Sequence, residues 1–159
     1  MAESTAAPLV GVIIGSPSDK AIADKIQDAL TGLGVPCEVK VMSAHRTPDL
    51  VEEYVRAAEG RGVQVLVACA GMAAHLAGAV AANTFLPVIG VPVNAGSLGG
   101  LDALLSTVQM PPGVPVATVA IDGARNAAFL AARILALHDP DVRKALAAAS
   151  LADRQKYLG

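Results

Sequence analysis

Val41-Met-Ser-Ala-His-Arg-Thr-Pro48 is the stretch on which the fold of this chain turns. On its N-terminal side Cys37, Val39 and Val41 alternate as in a strand. On its C-terminal side Thr47, Pro48 and Asp49 read as a helix start, with Thr47 as N-cap and Pro48 at the first helical position. Such a strand-to-helix corner is where an open parallel α/β sheet binds its ligands. This one carries an imidazole, His45, and a guanidinium, Arg46, with hydroxyls at Ser43 and Thr47. An imidazole moves protons near neutral pH, and a guanidinium grips a phosphate or carboxylate with paired hydrogen bonds. An isolated Ala-His-Arg is most simply a solvated loop, so the rest of the chain has to supply the case.

Outward from that corner the pattern repeats. Leu9–Ile14 is a continuous β-branched run, as expected of a parallel strand covered on both faces. Ile22, Ile26, Ala29, Leu30 and Leu33 then recur at helical spacing up to Gly34. After Pro48 the inward stripe is Leu50, Tyr54, Val55 and Ala58. Val63–Ala68 reads as a third strand, followed by a helix that is small and apolar nearly all round from Ala77 to Ala82. Pro87–Val93 and Val116–Ile121 read as strands four and five, separated by a Gly-rich loop at 96–100 and a helix Leu101–Gln109. Ala124–Leu137 and a last helix from Asp139-Pro140 to about Tyr157 complete the chain. Five alternations of strand and helix with short connections predict a doubly wound parallel sheet with helices on both faces. Residues 1–8 read as a loose N-terminal tail and 9–159 as one domain, whose last helix has no partner strand and is expected to pack on a neighbouring subunit.

Composition narrows the function. Of 159 residues 53% are hydrophobic and only 16% charged, yet every apolar run is broken well short of the ~20 residues of a membrane span. The excess apolar surface therefore predicts subunit interfaces in a sizeable homo-oligomer. A net charge of −2 with 3% aromatic residues offers neither a basic stripe nor a stacking platform for nucleic acid. Cys37 and Cys69 lie in apolar strand-like runs and read as small core residues of a reducing cytosol. The N-terminus lacks the basic start and apolar stretch of a signal peptide, so the cytoplasm is the expected location.

Two further corners carry polar groups. Gly15-Ser-Pro-Ser-Asp19 offers hydroxyls, a carboxylate and free amides at a helix start, which suits a ribose phosphate: amides and hydroxyls for phosphate, Asp19 for sugar hydroxyls. Plain N-capping by Ser18 or Asp19 explains the same residues. No G-x-G-x-x-G or Walker lysine occurs there, which disfavours dinucleotides and triphosphates. Ala70-Gly71-Met72 is small and rich in amides, able to hold a planar ring or a carboxylate. His75 follows it; a histidine in that setting is more commonly buried or at an interface than catalytic. No His/Cys/Asp cluster has metal-ligand spacing, and no serine sits in a G-x-S-x-G elbow, so neither a metal nor a serine nucleophile is expected. The inventory fits cofactor-free proton transfer on a small phosphorylated ribose compound.

These motifs also resemble a known family. G-S-x-S-D at 15–19, S-A-H-R-T-P at 43–48, A-A-H-L at 73–76, L-P-V-I-G-V-P-V at 86–93, S-T-V-Q-M-P at 106–111 and G-V-P-V-A-T-V-A at 113–120 are similar to those of the N5-carboxyaminoimidazole ribonucleotide mutases. With R-N-A-A around Asn126 the resemblance runs from about Val10 to Leu137. Met72 stands where that family commonly has Gly, and Ala77 where it commonly has Pro.

The resemblance implies a flavodoxin-like three-layer αβα fold, a homo-octamer, no cofactor, and a step of de novo purine synthesis. In that reaction a carboxyl group moves from the exocyclic nitrogen of an aminoimidazole ribonucleotide to ring carbon 4. The substrate releases carbon dioxide, which stays trapped until the ring carbon attacks it, and a histidine removes the carbon-bound proton. The matching histidine is His45. The matching nucleotide-binding residues are Ser16, Asp19 and Arg46, with Ser18, Ser43, Ala70, Gly71 and Leu76 nearby; Arg46 and Ser43 are expected on phosphate and Asp19 on ribose. An ordinary imidazole, titrating near ~6.5, can serve both proton transfers. Trapping carbon dioxide needs a small dry cavity, which the Ala70–Ala74 corner can line. Three alternatives stand beside this reading. One is a related carboxylase that takes carbon dioxide directly, one a homologous domain that carboxylates a pyridine nucleotide for a nickel cofactor, and one a non-catalytic nucleotide-binding module.

Overall fold

The computed structural model describes residues 7–158, so the expected N-terminal tail falls, for residues 1–6, outside the described part. Five strands lie side by side in one parallel sheet: β1 (Val10–Ile14), β2 (Cys37–Val41), β3 (Val65–Gly71), β4 (Val88–Val93) and β5 (Ala117–Thr118). Their order is β2-β1-β3-β4-β5, with Val10 opposite both Cys37 and Val65. This is the flavodoxin-like order, and it confirms the predicted doubly wound architecture. The chain steps from β1 out to β2 and returns to β3 on β1's other side, so a crevice opens between the C-terminal ends of β1 and β3.

Side chains of a strand alternate between faces, and the two faces hold two separate cores. On one face Val10, Val12 and Ile14, Val65, Val67 and Cys69, and Ile89, Val91 and Val93 pack against α1 (Lys20–Gly32) and α5 (Ala124–Leu135). Ile26 and Leu30 of α1 are fully buried there, each worth about 1.5–3 kcal/mol relative to exposure. The alanines of α5 (Ala127, Ala128, Ala131 and Ala132) are fully buried, which lets α1 and α5 approach closely. On the other face Ile13, Leu66, Ala68 and Val88 meet α2 (Pro48–Ala58) and the short α3 (Leu76–Ala81). The helix α4 (Leu101–Val108) lies over β4, where Gly90 leaves room for the Thr107 methyl; a Cβ at Gly90 would stand 2.3 Å from it.

Several element bounds differ from the sequence reading, for local reasons. β3 begins at Val65 and runs on to Gly71, because the Val63 N–H is taken by the Ala58 carbonyl at the end of α2. β5 is two residues long instead of six: it is an edge strand, and beyond Val119 the chain turns through a left-handed Asp122 (φ 56°) back onto β4. The small apolar helix after β3 is only six residues. The last helix, α6 (Pro140–Gln155), is capped by Asp139, whose carboxylate accepts from the Asp141 and Val142 amides. Val142, Ala145, Leu146 and Ala149 pack it onto its own chain, while Leu151, Tyr157 and Leu158 are exposed.

Candidate active site

The first corner follows β1. Ser16 is extended and caps a single 3-10 turn, Pro17–Asp19, by accepting from the Ser18 N–H. The capping expected of Ser18 or Asp19 is thus done by Ser16, and Asp19 makes no side-chain cap bond to α1. Asp19 is instead a buried residue, 8% exposed, with Ser18 Oγ 3.3 Å from its Oδ1. Burial pushes its carboxyl above the ordinary range, partly opposed by the Ser18 hydroxyl and the Ser16 backbone. Behind it, burial also raises the Cys69 thiol, and the Asp19 charge adds to that.

The second corner, between β2 and α2, is tied by Thr47. Its side chain does not cap α2 as expected. Thr47 Oγ1 instead reaches back, accepting from the Ser43 N–H at 2.9 Å and donating to the Ser43 carbonyl at 3.2 Å. The Thr47 N–H also donates to that carbonyl, and the Arg46 N–H donates to Ser43 Oγ. The loop is therefore closed at its base, with His45 and Arg46 projecting from its exposed tip. Among the described residues no carboxylate lies in ion-pair reach of Arg46, which leaves its fork available to an anion.

The third corner follows β3. Gly71 has no side chain because a Cβ there would lie 2.7 Å from the Ala95 Cβ, in the loop after β4. Met72 has φ 52°, in the left-handed region that favours glycine, which accounts physically for glycine being common at this position in the family it resembles. Ala74 and Leu76 are buried, and His75 stands at the start of α3. Although His75 read from sequence as a buried or interface residue, its ring is exposed and faces His45. His45 Nε2 and His75 Nδ1 are 2.5 Å apart, with the rings at 86° and their centroids separated by 4.7 Å.

All three corners line one cavity of about 250 Å³ in the β1–β3 crevice. Ser16, Ser18 and Asp19 come from the first, Ser43, His45 and Arg46 from the second, and Ala70, Gly71 and Leu76 from the third. These nine candidate residues are thus brought to the same place, whereas the Thr47 hydroxyl is taken up by the Ser43 backbone within its own loop. Met72, named with Ala70 and Gly71 in the third corner, also lines the wall; the site position of His75, which read as buried or interfacial, and that of Ala95 were missed. A larger hollow of about 790 Å³ lies at the opposite end of the sheet, where Leu86–Val88 and Pro115–Ala117 enter β4 and β5. Its ionisable side chains are Arg56 and Glu59, with no imidazole among its lining residues, so the smaller cavity is the candidate site. Among the described residues no three His, Cys, Asp or Glu side chains group as metal ligands.

Comparison with known proteins bears on the family and the fold. A family model described as AIR carboxylase matches residues 9–156. N5-carboxyaminoimidazole ribonucleotide mutase of Pseudomonas aeruginosa is 58% identical over 140 residues, covering 87% of this chain and 86% of its own. The protein of the same name from Bacillus subtilis is 55% identical over 141 residues, covering 87% of each, and that from Pyrococcus abyssi 54% over 139, covering 87% and 80%. The crystal structure of Treponema denticola PurE superposes with a TM-score of 0.88 at 30% identity, covering 95% of this chain and 94% of that one. With the family model spanning nearly the whole domain and the motif-bearing corners assembled in one crevice, this chain belongs to the AIR carboxylase family.

Proposed function

We propose that this chain is an isomerase that interconverts N5-carboxyaminoimidazole ribonucleotide and 4-carboxyaminoimidazole ribonucleotide, as the names of its relatives indicate. The observation that carries the reading is the single cavity in which His45, the free Arg46 guanidinium and the buried Asp19 carboxylate face small residues of the third corner. Arg46 and the Ser43 hydroxyl hold the phosphate, and Asp19 holds the ribose hydroxyls. Ser16 and Ser18 flank the sugar, with Ala70, Gly71 and Leu76 beside the base.

His45, protonated, gives its proton to the exocyclic nitrogen as the N–carboxyl bond breaks, releasing carbon dioxide and the uncarboxylated nucleotide. Ring carbon 4 then bonds to the carbon dioxide, and His45 takes the proton from that carbon. One proton leaves His45 and one returns, so the net change is an isomerisation without a cofactor. Ala70, Gly71, Ala73 and Ala95 present little more than methyl groups and backbone, a wall suited to a small apolar molecule held out of water. The proposal places the enzyme in cytoplasmic purine synthesis as a homo-octamer. Exposed Phe85, Leu137, Leu151, Tyr157 and Leu158 on the single chain support association.

The test is spectrophotometric. Purified protein is given N5-carboxyaminoimidazole ribonucleotide, or separately the uncarboxylated nucleotide with bicarbonate, and the C4-carboxylated product is followed. Fast conversion of the first and slow conversion of the second is the expected result. The reverse preference would move the chain to direct carboxylation, and binding without turnover of either would leave a nucleotide-binding module. His45→Asn turning over at the wild-type rate would refute the proton-transfer role.

A further inference from the structure

We propose that His75 is a positioning residue that sets the working tautomer of His45, an inference that rests on the mutase reading above. The two rings meet nitrogen to nitrogen at 2.5 Å, His45 Nε2 against His75 Nδ1. A neutral imidazole has one N–H and one lone pair, so a hydrogen bond between two of them uses one proton, donated from one side or the other.

The two arrangements differ in what they leave to His45. If His75 Nδ1 donates, the only lone pair of neutral His45 is consumed at Nε2, and no basic nitrogen remains for a substrate. If His45 Nε2–H donates, its Nδ1 keeps a free lone pair and can act as the base. Only the second arrangement is compatible with His45 taking a proton. His75 then presents a neutral acceptor, with its own proton on Nε2.

His75 is the better anchored of the two. Its backbone N–H donates to the Ala73 carbonyl and its backbone carbonyl accepts from the Ala79 N–H, both at 2.9 Å, at the start of α3. His45 sits at the tip of a loop. When His45 Nδ1 takes the proton from carbon, the Nε2–H bond to His75 becomes charge-assisted and strengthens, which favours the proton-loaded ring. A neutral acceptor does this without the full Coulomb attraction of a carboxylate, which suits a base that must give the same proton back in each cycle. The other charged groups lining the cavity, Asp19 and Arg46, come from the first and second corners and are not hydrogen-bonded to either ring.

The test uses the full chain with His75→Phe, which keeps an aromatic ring and removes the acceptor, and His75→Asn, whose amide oxygen can stand close to the Nδ1 position. In wild type and H75N, ¹⁵N-histidine spectra should show His45 Nε2 protonated in the neutral ring. In H75F the His45 signals should average between tautomers. Turnover of N5-carboxyaminoimidazole ribonucleotide should show kcat lower by roughly 10- to 100-fold in H75F, the scale of a lost hydrogen bond to a charged group, with KM within about threefold. H75N should recover most of kcat. An unchanged His45 tautomer in H75F, or a defect in KM alone, would overturn the proposal. If wild type fails to turn over the nucleotide, the mutase reading falls while the spectra still decide whether His75 sets the tautomer.

Discussion

Thr47→Val tests whether the loop that carries His45 and Arg46 is held by one hydroxyl. The substitution keeps the branched shape and removes an acceptor for the Ser43 N–H at 2.9 Å and a donor to the Ser43 carbonyl at 3.2 Å. Each such bond contributes about 0.5–1.5 kcal/mol net. The Ser43 carbonyl keeps the Thr47 N–H, and Ser43 is only half-buried, so water recovers part of the loss. A destabilisation of about 1–2 kcal/mol results. At 1.4 kcal/mol per factor of ten, amide exchange at Ser43 should quicken by roughly 5- to 30-fold. Tm should fall by roughly 2–8 °C, on the scale of a domain this size. With Arg46 and His45 less often in place, kcat/KM for the ribonucleotide should fall by up to about tenfold. Thr47→Ser, which retains the hydroxyl, should stay close to wild type in all three measurements. Unchanged exchange at Ser43 in T47V, or an equal defect in T47S, would refute the argument.

Asp19→Asn should stabilise the fold while abolishing ribose recognition. Because burial raises the folded-state value above the unfolded one, ionising Asp19 costs stability that is absent in acid, grows as pH rises through about 4 and is complete above the folded value. The Tm advantage of D19N should therefore appear on going from pH 3 to pH 8; a constant difference across that range would contradict it. Gly90→Ala should cost about 1–3 kcal/mol by overpacking, since its Cβ would stand 2.3 Å from the Thr107 methyl and 2.9 Å from a Val116 methyl. A thermal melt within 1 °C of wild type would show that α4 yields freely. Cys69 is fully buried with its thiol pushed up by burial, so a thiol reagent should label Cys37 first and Cys69 only on unfolding. Labelling of Cys69 in the native protein at the rate of Cys37 would contradict this.

What the sequence reveals here depends on how far apart the interacting residues are along the chain. The strands β1, β2 and β4 are legible because burial on one or both sides selects runs such as Val10–Ile14 from local composition alone. The length of β5 is not, because it is set by pairing on a single side and by the return of Asp122, whose Oδ1 accepts from the Asn94 N–H across 28 residues. The role of Thr47 is half legible: Thr-Pro-Asp marks a helix start correctly, but whether the hydroxyl caps the helix ahead or ties the loop behind depends on the backbone of Ser43.

The site shows the same division. Each corner announces itself locally, since a strand that ends in Gly-Ser, Ser-Ala-His or Ala-Gly cannot hide polar groups in a core. That three corners form one cavity follows from the sheet order, in which β1 lies between β2 and β3. The His45–His75 contact requires more. It links residues 30 apart through a neighbouring strand, and no spacing rule along the chain encodes it. Once the order β2-β1-β3 is known, however, the corners after β2 and β3 must flank the corner after β1, and two histidines at equivalent points of those corners become candidates for contact. The sheet order thus makes the pair geometrically possible, and the conformations of the two loops, fixed by Thr47 behind His45 and by the left-handed Met72 ahead of His75, decide that the rings meet.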